Sequence, residues 1–329
     1  MKNRHSASPS LWLAAGAVLL LAMLPAGPAY ADAFPSKPIK FIVPFPPGSG
    51  TDTSARYFGR KLSELTKQPV IVENKPGANG FIGVQSVLNA PADGYTVFVG
   101  SNSTLAVNVA LFKKLPYDPQ TDLVPLSMMM RAPVVLAVPP ESPYKSVAEL
   151  ISAARAQPGK LNYAGGSAGY QLMAELFNDT AGTSTMHVPY KGASEALAAV
   201  ASQQVDMTFS DITAAQGLVK GGKLRALAVA SDKRAPALPD VPTTAEAGLP
   251  GYKAYVWVGA MVAARTPKAE VEKLASLLTQ IEAMPETREF YERQGAETMA
   301  GGADEMRRFQ AAEIALWKQI VVKAKVEQQ

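Results

Sequence analysis

The sequence predicts an α/β fold of two lobes that are joined by two crossing segments. Short runs rich in β-branched and aromatic residues alternate with helical patterns, and this alternation is typical of largely parallel sheets. Two apolar runs, 128–140 and 251–267, each pass through a strand pattern without an obvious break, and we take them as the crossing segments. The lobes are then expected at 34–132 together with 253–329, and at 133–252.

Seven runs are expected to form buried strands. They are residues 39–43, 70–73, 96–100, 134–138, 205–209, 224–230 and 256–262. Between them, helices open with recognisable signals. Ser146 followed by Glu149 forms a capping box, and Thr266 as cap followed by Pro267 at the first helical position begins another helix.

The C-terminal stretch from Ala303 onward is also expected to be helical. Met306, Phe309, Ala312 or Glu313, and Leu316 fall at helical spacing, which predicts that they share the face packed on the first lobe.

The N-terminus has the pattern of a secretory signal peptide. Lys2 and Arg4 precede an apolar run at 11–24, and Ala29-Tyr30-Ala31 offers a cleavage site. A membrane anchor is the alternative, but the run is shorter than the roughly 18 apolar residues that a spanning helix needs. We therefore predict that residues 1–31 are removed and that the mature chain is exported.

The composition excludes several classes of function. The formal net charge is +4 for the whole chain, two units of which come from Lys2 and Arg4, so nothing indicates a nucleic-acid partner. The chain has no cysteine, and of its two histidines only His187 remains after cleavage. Thiol chemistry and histidine-rich metal sites are therefore excluded, and neither a cofactor nor a metal is expected.

Three places where a strand runs into a helix start are the candidate binding loops. The first, "PFPPGSGTD" (44–52), combines rigid prolines with a glycine turn. Such a loop aims unpaired N–H groups and a helix dipole at one point, which favours an anion. It is neither a Walker A loop nor a G-x-G-x-x-G loop. The alternative is a rigid turn in which Asp52 is an ordinary helix cap.

The second and third junctions repeat this layout. "SNST" (101–104) follows a strand and supplies hydroxyls and an amide, or else a polar cap cluster. "AGGSAG" (164–169) matches the nucleophile elbow G-x-S-x-G, so Ser167 is a candidate nucleophile. His187 follows only twenty residues later, which fits a hydrolase triad poorly; a pair with Lys191 stays open, although nothing singles it out.

The chain resembles the extracytoplasmic receptors of tripartite tricarboxylate transporters, the Bug-type receptors. The resemblance rests on eight segments that occur in order over nearly the whole mature chain. They are "FPSKPIKFIVPFPPGSGTD", "QPVIVENKPGANGFIG", "ADGYTVFVGSNST", "LFKKLPYDP", "PGKLNYAGGSAGYQLMAELF", "HVPYKGASEAL", "GGKLRALAVASDKRAPALPDVPTTAEAGLPG" and "ARTPKAEVEKL".

This resemblance implies a two-lobed periplasmic binding protein of the type II class, which holds a ligand carboxylate mainly through backbone N–H groups and waters. The ligand-binding residues that it implies come from both lobes. They are Phe45, Pro47, Gly48, Ser49, Gly50, Thr51, Asp52, Ser101, Thr104, Ser167, Ala168, Gly169, Tyr170 and Asp211.

The sequence departs from the commonest family pattern in three places. Ser49 stands where a third glycine is usual, the 165–172 loop has a shorter form, and the Ser210-Asp211 pair replaces Asp-Asn. With the shorter loop, Tyr170 becomes a pocket wall. Asp211 either points at a ligand amine or hydroxyl or caps a helix, and we favour the cap.

The function expected from the resemblance is that of a periplasmic receptor, not an enzyme. It would bind a small organic carboxylate (a di- or tricarboxylate, an amino acid or an aromatic acid) and deliver it to membrane transporter subunits. We expect a monomer that binds no nucleic acid. Two alternatives stay open: an exported serine hydrolase that uses Ser167, and a sensory co-receptor that presents its ligand to a signalling partner.

Overall fold

The computed structural model describes residues 34–329, and the predicted signal peptide lies outside this range. Ten strands form one sheet in these residues. They are β1 (Ile39–Val43), β2 (Val70–Asn74), β3 (Thr96–Ser101), β4 (Leu123–Val138), β5 (Asn162–Gly165), β6 (Met186–Pro189), β7 (Met207–Asp211), β8 (Arg225–Val229), β9 (Tyr255–Ala263) and β10 (Glu297–Thr298).

Ten α-helices cover this sheet, again within residues 34–329. They are α1 (Gly50–Thr66), α2 (Phe81–Leu88), α3 (Asn108–Leu111), α4 (Val147–Ala156), α5 (Ala168–Ala181), α6 (Ala193–Ala201), α7 (Ile212–Lys220), α8 (Lys268–Glu282), α9 (Pro285–Arg293) and α10 (Ala303–Lys323). None of these helices is both long enough and apolar enough to cross a membrane.

The strand order is β2-β1-β3-β9-β4-β7-β5-β6, with β8 and β10 also paired to β4. The outer strands are parallel: β1 pairs with β2 and β3, and β5 pairs with β6 and β7. The central pairs are antiparallel, because β9 pairs with β3 and β4, and β4 pairs with β7 and β8. The prediction of an α/β protein is therefore confirmed, while the predicted parallel pairing holds only away from the centre.

The long strand β4 changes its partner part-way along. From Leu123 to Pro133 it pairs with β9, and from Val134 onward it pairs with β7 and β8. The predicted strand covers only 134–138, within the apolar run 128–140, and the structure extends it back to Leu123. This extension contains prolines at 125 and 133, which are unusual in a central strand. The register against β9 shifts between Pro125 and Ser127, and a local shift of this kind lets the strand accommodate a proline.

Helix starts follow local capping chemistry, with two corrections. Ser146 caps α4 as predicted, since its hydroxyl accepts a hydrogen bond from the Glu149 N–H at 3.2 Å. The predicted cap Thr266 is wrong by one residue, because Pro267 occupies the cap position of α8 in an extended conformation. The first binding loop also differs: Ser49, not Asp52, is the cap of α1.

The buried face of α10 differs from the prediction. Leu316 is 46% exposed, whereas Gln310 and Trp317 are buried. The sequence pattern passes over Gln310 because it is polar, but its side-chain amide donates to the carbonyls of Leu105 and Pro119 at 2.9 and 3.3 Å. A satisfied amide can thus occupy a core position that a search for apolar residues leaves out.

The capping role of Ser146 at the start of α4 can be tested directly. Ser146→Ala removes the acceptor for the Glu149 N–H, so we expect the free energy of unfolding to fall by about 1 kcal/mol. Chemical denaturation followed by circular dichroism measures the change. Ser152→Ala, at an exposed position inside the same helix, is the matched control and is expected to have no effect or a small stabilising one. Equal losses in both variants would contradict the capping role.

Candidate functional site

A small cavity lies where the predicted binding loops meet. Its volume is about 10 Å³, roughly the space that one water needs. Its walls come from the loop before α1, the turn after β3, the starts of α5 and α6, and β9. The lining residues are Phe45, Ser49, Thr51, Ser101, Asn102, Ser103, Gly166, Ser167, Gly169, Tyr170, Ala193 and Val256. None of these side chains carries a charge, and we call this space the inner cavity.

The loop before α1 is held in shape by Asp52. Its carboxylate accepts hydrogen bonds from the Gly48 N–H at 3.1 Å, from Arg56 Nε at 3.0 Å and from Asn74 Nδ2 at 2.9 Å. Gly48 has a φ of +87°, a conformation that favours glycine. Asp52 is thus used to build the loop, and its side chain does not line the inner cavity.

The Ser49 hydroxyl completes the start of α1. It accepts the Asp52 N–H at 3.2 Å, which is the first half of a capping box. The second half is displaced by one residue, because the Asp52 carboxylate receives the N–H of Gly48 and not that of Ser49. This arrangement leaves the beginning of α1 directed at the inner cavity, with Ser49 and Thr51 in its wall.

Two serine hydroxyls from distant parts of the chain meet at the inner cavity. Ser103 Oγ and Ser167 Oγ lie 2.9 Å apart, and the Gly169 N–H donates to Ser103 Oγ at 3.1 Å. Ser103 begins a π-helical turn that runs to Val107. Such turns are rare and are frequent at functional sites. The turn after β3 is therefore hydrogen-bonded to the start of α5.

Two glycines allow the close approach of these segments. A β-carbon on Gly169 would lie 2.5 Å from Ser103 Oγ, and one on Gly192 would lie 2.4 Å from Pro46 Cδ. Both distances are shorter than real contacts permit. The cap of α6 at Gly192 thus packs directly on the proline-rich loop before α1.

Tyr170 and Asp211 form a buried pair beside the inner cavity. The Tyr170 hydroxyl donates to Asp211 Oδ2 at 2.6 Å, while Asp211 Oδ1 accepts the Ala214 N–H at 3.1 Å and caps α7. Burial and the adjacent carboxylate raise the pKa of Tyr170 well above its usual value, so the phenol stays protonated. Of the two roles considered for Asp211, the structure shows the cap, and Asp211 reaches the inner cavity only through Tyr170.

The predicted site residues thus divide into two groups. Seven of them line the inner cavity, namely Phe45, Ser49, Thr51, Ser101, Ser167, Gly169 and Tyr170. The other seven lie outside its lining, namely Pro47, Gly48, Gly50, Asp52, Thr104, Ala168 and Asp211. Thr104 is fully buried behind the wall, where its hydroxyl donates to the Ser101 carbonyl at 3.2 Å.

Sequence reasoning left out five lining residues, namely Asn102, Ser103, Gly166, Ala193 and Val256. Asn102 and Ser103 belong to the polar run 101–104. Nothing in the sequence of this run shows which of its side chains line a cavity. Ala193 follows a glycine at a helix start, the same pattern that marks the predicted loops, so this pattern could have found it. Val256 belongs to a crossing strand and carries no such signal.

A wider space adjoins the inner cavity, with a volume of about 360 Å³. We call it the outer cavity. The two share Phe45, Gly166 and Ser167, and the outer cavity adds residues 77–79 and residues 189–191 with Glu195. Lys191 and Glu195 make this outer space charged where the inner one is not.

The surroundings of Ser167 do not form a hydrolase triad. Its hydroxyl pairs with Ser103, and His187 stacks on the Tyr163 ring with 5.1 Å between centroids and 22° between planes. Burial lowers the pKa of His187. In the part of the chain described, no group of three or more histidine, cysteine, aspartate or glutamate side chains is arranged to hold a metal ion.

Residues 54–326 match the family described as the tripartite tricarboxylate transporter family receptor, TctC. The chain belongs to this family. It is also 37% identical over 303 residues to the protein BugT of Bordetella pertussis, an alignment that covers 90% of this chain and 92% of BugT. The Bug-type resemblance of the sequence is therefore confirmed.

Solved structures of related proteins agree in fold. An R. palustris protein solved with adipate has a TM-score of 0.85 and 34% identity, covering 89% of this chain and 98% of that one. MatC of Rhodopseudomonas palustris, solved with bound malate, has a TM-score of 0.82 and 31% identity, covering 88% and 100%. The periplasmic binding protein BugD has a TM-score of 0.85 and 29% identity, covering 90% and 100%.

These similarities decide between the classes of function. The chain has the two-lobed α/β fold of a periplasmic binding protein, and its family consists of solute-binding receptors. It is a receptor and not an enzyme, so the hydrolase alternative built on Ser167 is rejected.

Tyr170 provides a test of the pair with Asp211. Tyr170→Phe leaves the buried Asp211 Oδ2 without its donor, so we expect the free energy of unfolding to fall by about 1–3 kcal/mol. Urea denaturation measures the change. Tyr144→Phe, at a partly exposed position, is the control and is expected to alter stability little. A Tyr170→Phe protein as stable as the wild type would mean that the phenol is not needed to satisfy Asp211.

His187 gives a test in the pH dependence of stability. Because burial lowers its pKa, the unfolded chain binds the proton more readily than the folded one. Stability should therefore fall as the pH drops through about 6.5, the usual value of histidine, and level off below the folded pKa. His187→Phe keeps an aromatic ring against Tyr163 and should lack this component. The free energy of unfolding is measured for both proteins from pH 7.5 to 5.5. If the wild type loses no more stability over this range than His187→Phe does, the assignment is contradicted.

Proposed function

We propose that this protein is a periplasmic receptor that binds a small organic carboxylate between two lobes and delivers it to a tripartite tricarboxylate-type membrane transporter. The lobes are residues 34–132 with 253–329, and residues 133–252. Residues 1–31 are a signal peptide that is removed on export, and the mature receptor acts as a monomer.

The observation that carries the proposal is the convergence of uncharged donors on the inner cavity. The starts of α1, α5 and α6 and the hydroxyls of Ser49, Thr51 and Ser101 all border it. Hydrogen bonds to a charged group are worth about 1.5–3 kcal/mol each, so several together offset the desolvation of a carboxylate without an arginine. Helix N-termini add a favourable field for an anion.

The ligands of two similar proteins support the choice of a carboxylate. One relative was solved with adipate and the other with malate, both of which are dicarboxylates. In this chain the inner cavity is the place for one carboxylate, and the outer cavity, with Lys191 at its wall, is the place for the distal part of a longer acid.

Opening and closing of the lobes follows from the size of the inner cavity. Binding sites for small molecules usually enclose about 300–1,000 Å³, and the inner cavity has about 10 Å³. A ligand therefore enters only if the starts of α5 and α6 move away from the loop before α1. The change of partner in β4 between Pro133 and Val134 supports a division of the lobes at this point.

Native mass spectrometry of the mature protein purified from its periplasm tests the proposal, followed by thermal shifts. The panel consists of citrate, malate, succinate, adipate, glutamate and benzoate. We expect one class of acid to bind unchanged and to raise stability by about 2.7 kcal/mol at a hundred times its Kd. A panel without a binder would contradict a carboxylate receptor. Capture of a signalling protein in place of transporter subunits by the loaded receptor would contradict the delivery step.

Gly192 provides a test of closure. Gly192→Ala places a methyl group against Pro46 only when the segments approach as they do here. Overpacking costs about 1–3 kcal/mol, so we expect carboxylate binding to weaken about tenfold or more while the fold remains stable. Isothermal titration calorimetry with the acid found in the panel measures the change.

Gly217→Ala is the matched control, because a β-carbon there meets nothing within 4 Å. An unchanged affinity in Gly192→Ala would show that the bound form does not use this approach.

A further inference from the structure

Asn102 is a buried amide that the fold leaves without partners. The residue is 1% exposed and lines the inner cavity. Neither its Nδ2 nor its Oδ1 has a hydrogen-bond partner among the described residues. Buried polar groups are nearly always paired, so an unpaired one needs an explanation. Other buried side chains have one unpaired atom, but in Asn102 both ends of the amide are unpaired and the residue lines a cavity.

Another buried asparagine shows what a structural role looks like. Asn178 is 6% exposed, and both ends of its side chain are paired: Nδ2 donates to Glu175 at 3.2 Å, and Oδ1 accepts from Thr183 and Thr185 at 3.0 Å each. Asn102 makes no such bonds. Its polar atoms are therefore available to whatever occupies the inner cavity.

The amide of Asn102 requires two kinds of partner. Its Nδ2 donates hydrogen bonds and its Oδ1 only accepts them, whereas an ionised carboxylate only accepts. A carboxylate can therefore satisfy Nδ2, which faces the start of α5, since a β-carbon on Gly169 would lie 3.5 Å from it. Oδ1 then still needs a donor, and a plain carboxylic acid cannot provide one.

The missing donor is either a hydroxyl or an ammonium group next to the carboxylate. No charged side chain lines the inner cavity, so a buried ammonium would have no anionic partner other than the ligand's own carboxylate. Two nearby carboxylates, of Asp52 and Asp211, already accept hydrogen bonds from other groups. A third, of Glu195, lines only the outer cavity, where it accepts the Lys191 N–H at 3.3 Å. Burying an unpaired charge is costly, whereas a hydroxyl carries no such penalty.

We propose that Asn102 makes this receptor select carboxylates with a hydroxyl group beside the carboxylate over the same acids without it. The inference rests on the proposed function and assigns a ligand class to that same site. Asn102 donates from Nδ2 to the ligand carboxylate and accepts the ligand hydroxyl at Oδ1. A site that hydrogen-bonds a ligand hydroxyl discriminates against an analogue that lacks it.

Matched pairs of acids test the selection. Isothermal titration calorimetry compares malate with succinate and 2-hydroxyglutarate with glutarate, and aspartate replaces the hydroxyl by an ammonium group. We expect the wild type to bind each hydroxy acid about tenfold or more tightly than its partner, the effect of about one unsatisfied polar group. Asn102→Leu and Asn102→Ala should lose this preference.

A second readout does not depend on the ligand. In the ligand-free protein, Asn102→Leu replaces an unpaired buried amide by an apolar group of similar size, so its Tm should equal or exceed that of the wild type. Asn178→Ala is the control: it breaks satisfied hydrogen bonds, so it should lower the Tm and keep the preference for hydroxy acids.

The possible outcomes separate this inference from the proposed function. Equal affinity of the wild type for malate and succinate would overturn the role of Asn102 and leave the carboxylate receptor intact. Tighter binding of aspartate than of malate would overturn the choice of a hydroxyl. If the preference for hydroxy acids persists in both Asn102 variants, another residue recognises the hydroxyl and the role of Asn102 is overturned. If no acid of the set binds, the proposed function fails together with the inference.

Discussion

The antiparallel pairing of β4 with β9 is the constraint on which the rest of the structure depends. The pairing runs from Leu123 to Pro133, and beyond it β4 continues as the partner of β7 and β8. One strand thus belongs to both halves of the sheet, and the starts of α1, α5 and α6 border one cavity beside it. Val256 of β9 lines the inner cavity, so the central pair of strands also forms a wall of the site.

Local signals in the sequence predicted the parts of this arrangement well. A serine cap at Ser146 or a glycine turn before α1 depends on neighbouring residues alone, so it can be recognised without knowledge of the fold. Of the capping box predicted there, the serine half is present, while the Glu149 carboxylate accepts the N–H of Lys145 and not that of Ser146. The same holds for most strands, whose apolar runs are short and bounded by turn residues. The family resemblance then supplied the convergence of the loops, which no local pattern contains.

Two features of the structure could not be predicted from the sequence. One depends on the geometry of a single turn, and the other depends on hydrogen-bond partners that are distant in the chain. Ser101, Asn102, Ser103 and Thr104 are adjacent, yet Thr104 lies behind the wall and the other three line the inner cavity. A π-helical turn begins at Ser103, and its i→i+5 hydrogen bonding places side chains at a different angular spacing from that of an α-helix. Gln310 was passed over for a similar reason, because the carbonyls that satisfy its amide come from residues far away in sequence.

The uncharged wall of the inner cavity has a consequence for the medium in which the protein works. Ion pairs at a surface weaken as salt is added, since the Debye length falls from about 30 Å at 0.01 M to about 3 Å at 1 M. Hydrogen bonds from buried hydroxyls and backbone N–H groups are screened much less. The periplasm is exposed to the ionic strength of the surroundings. A receptor that binds its anion through such hydrogen bonds would keep its affinity in dilute and in saline water.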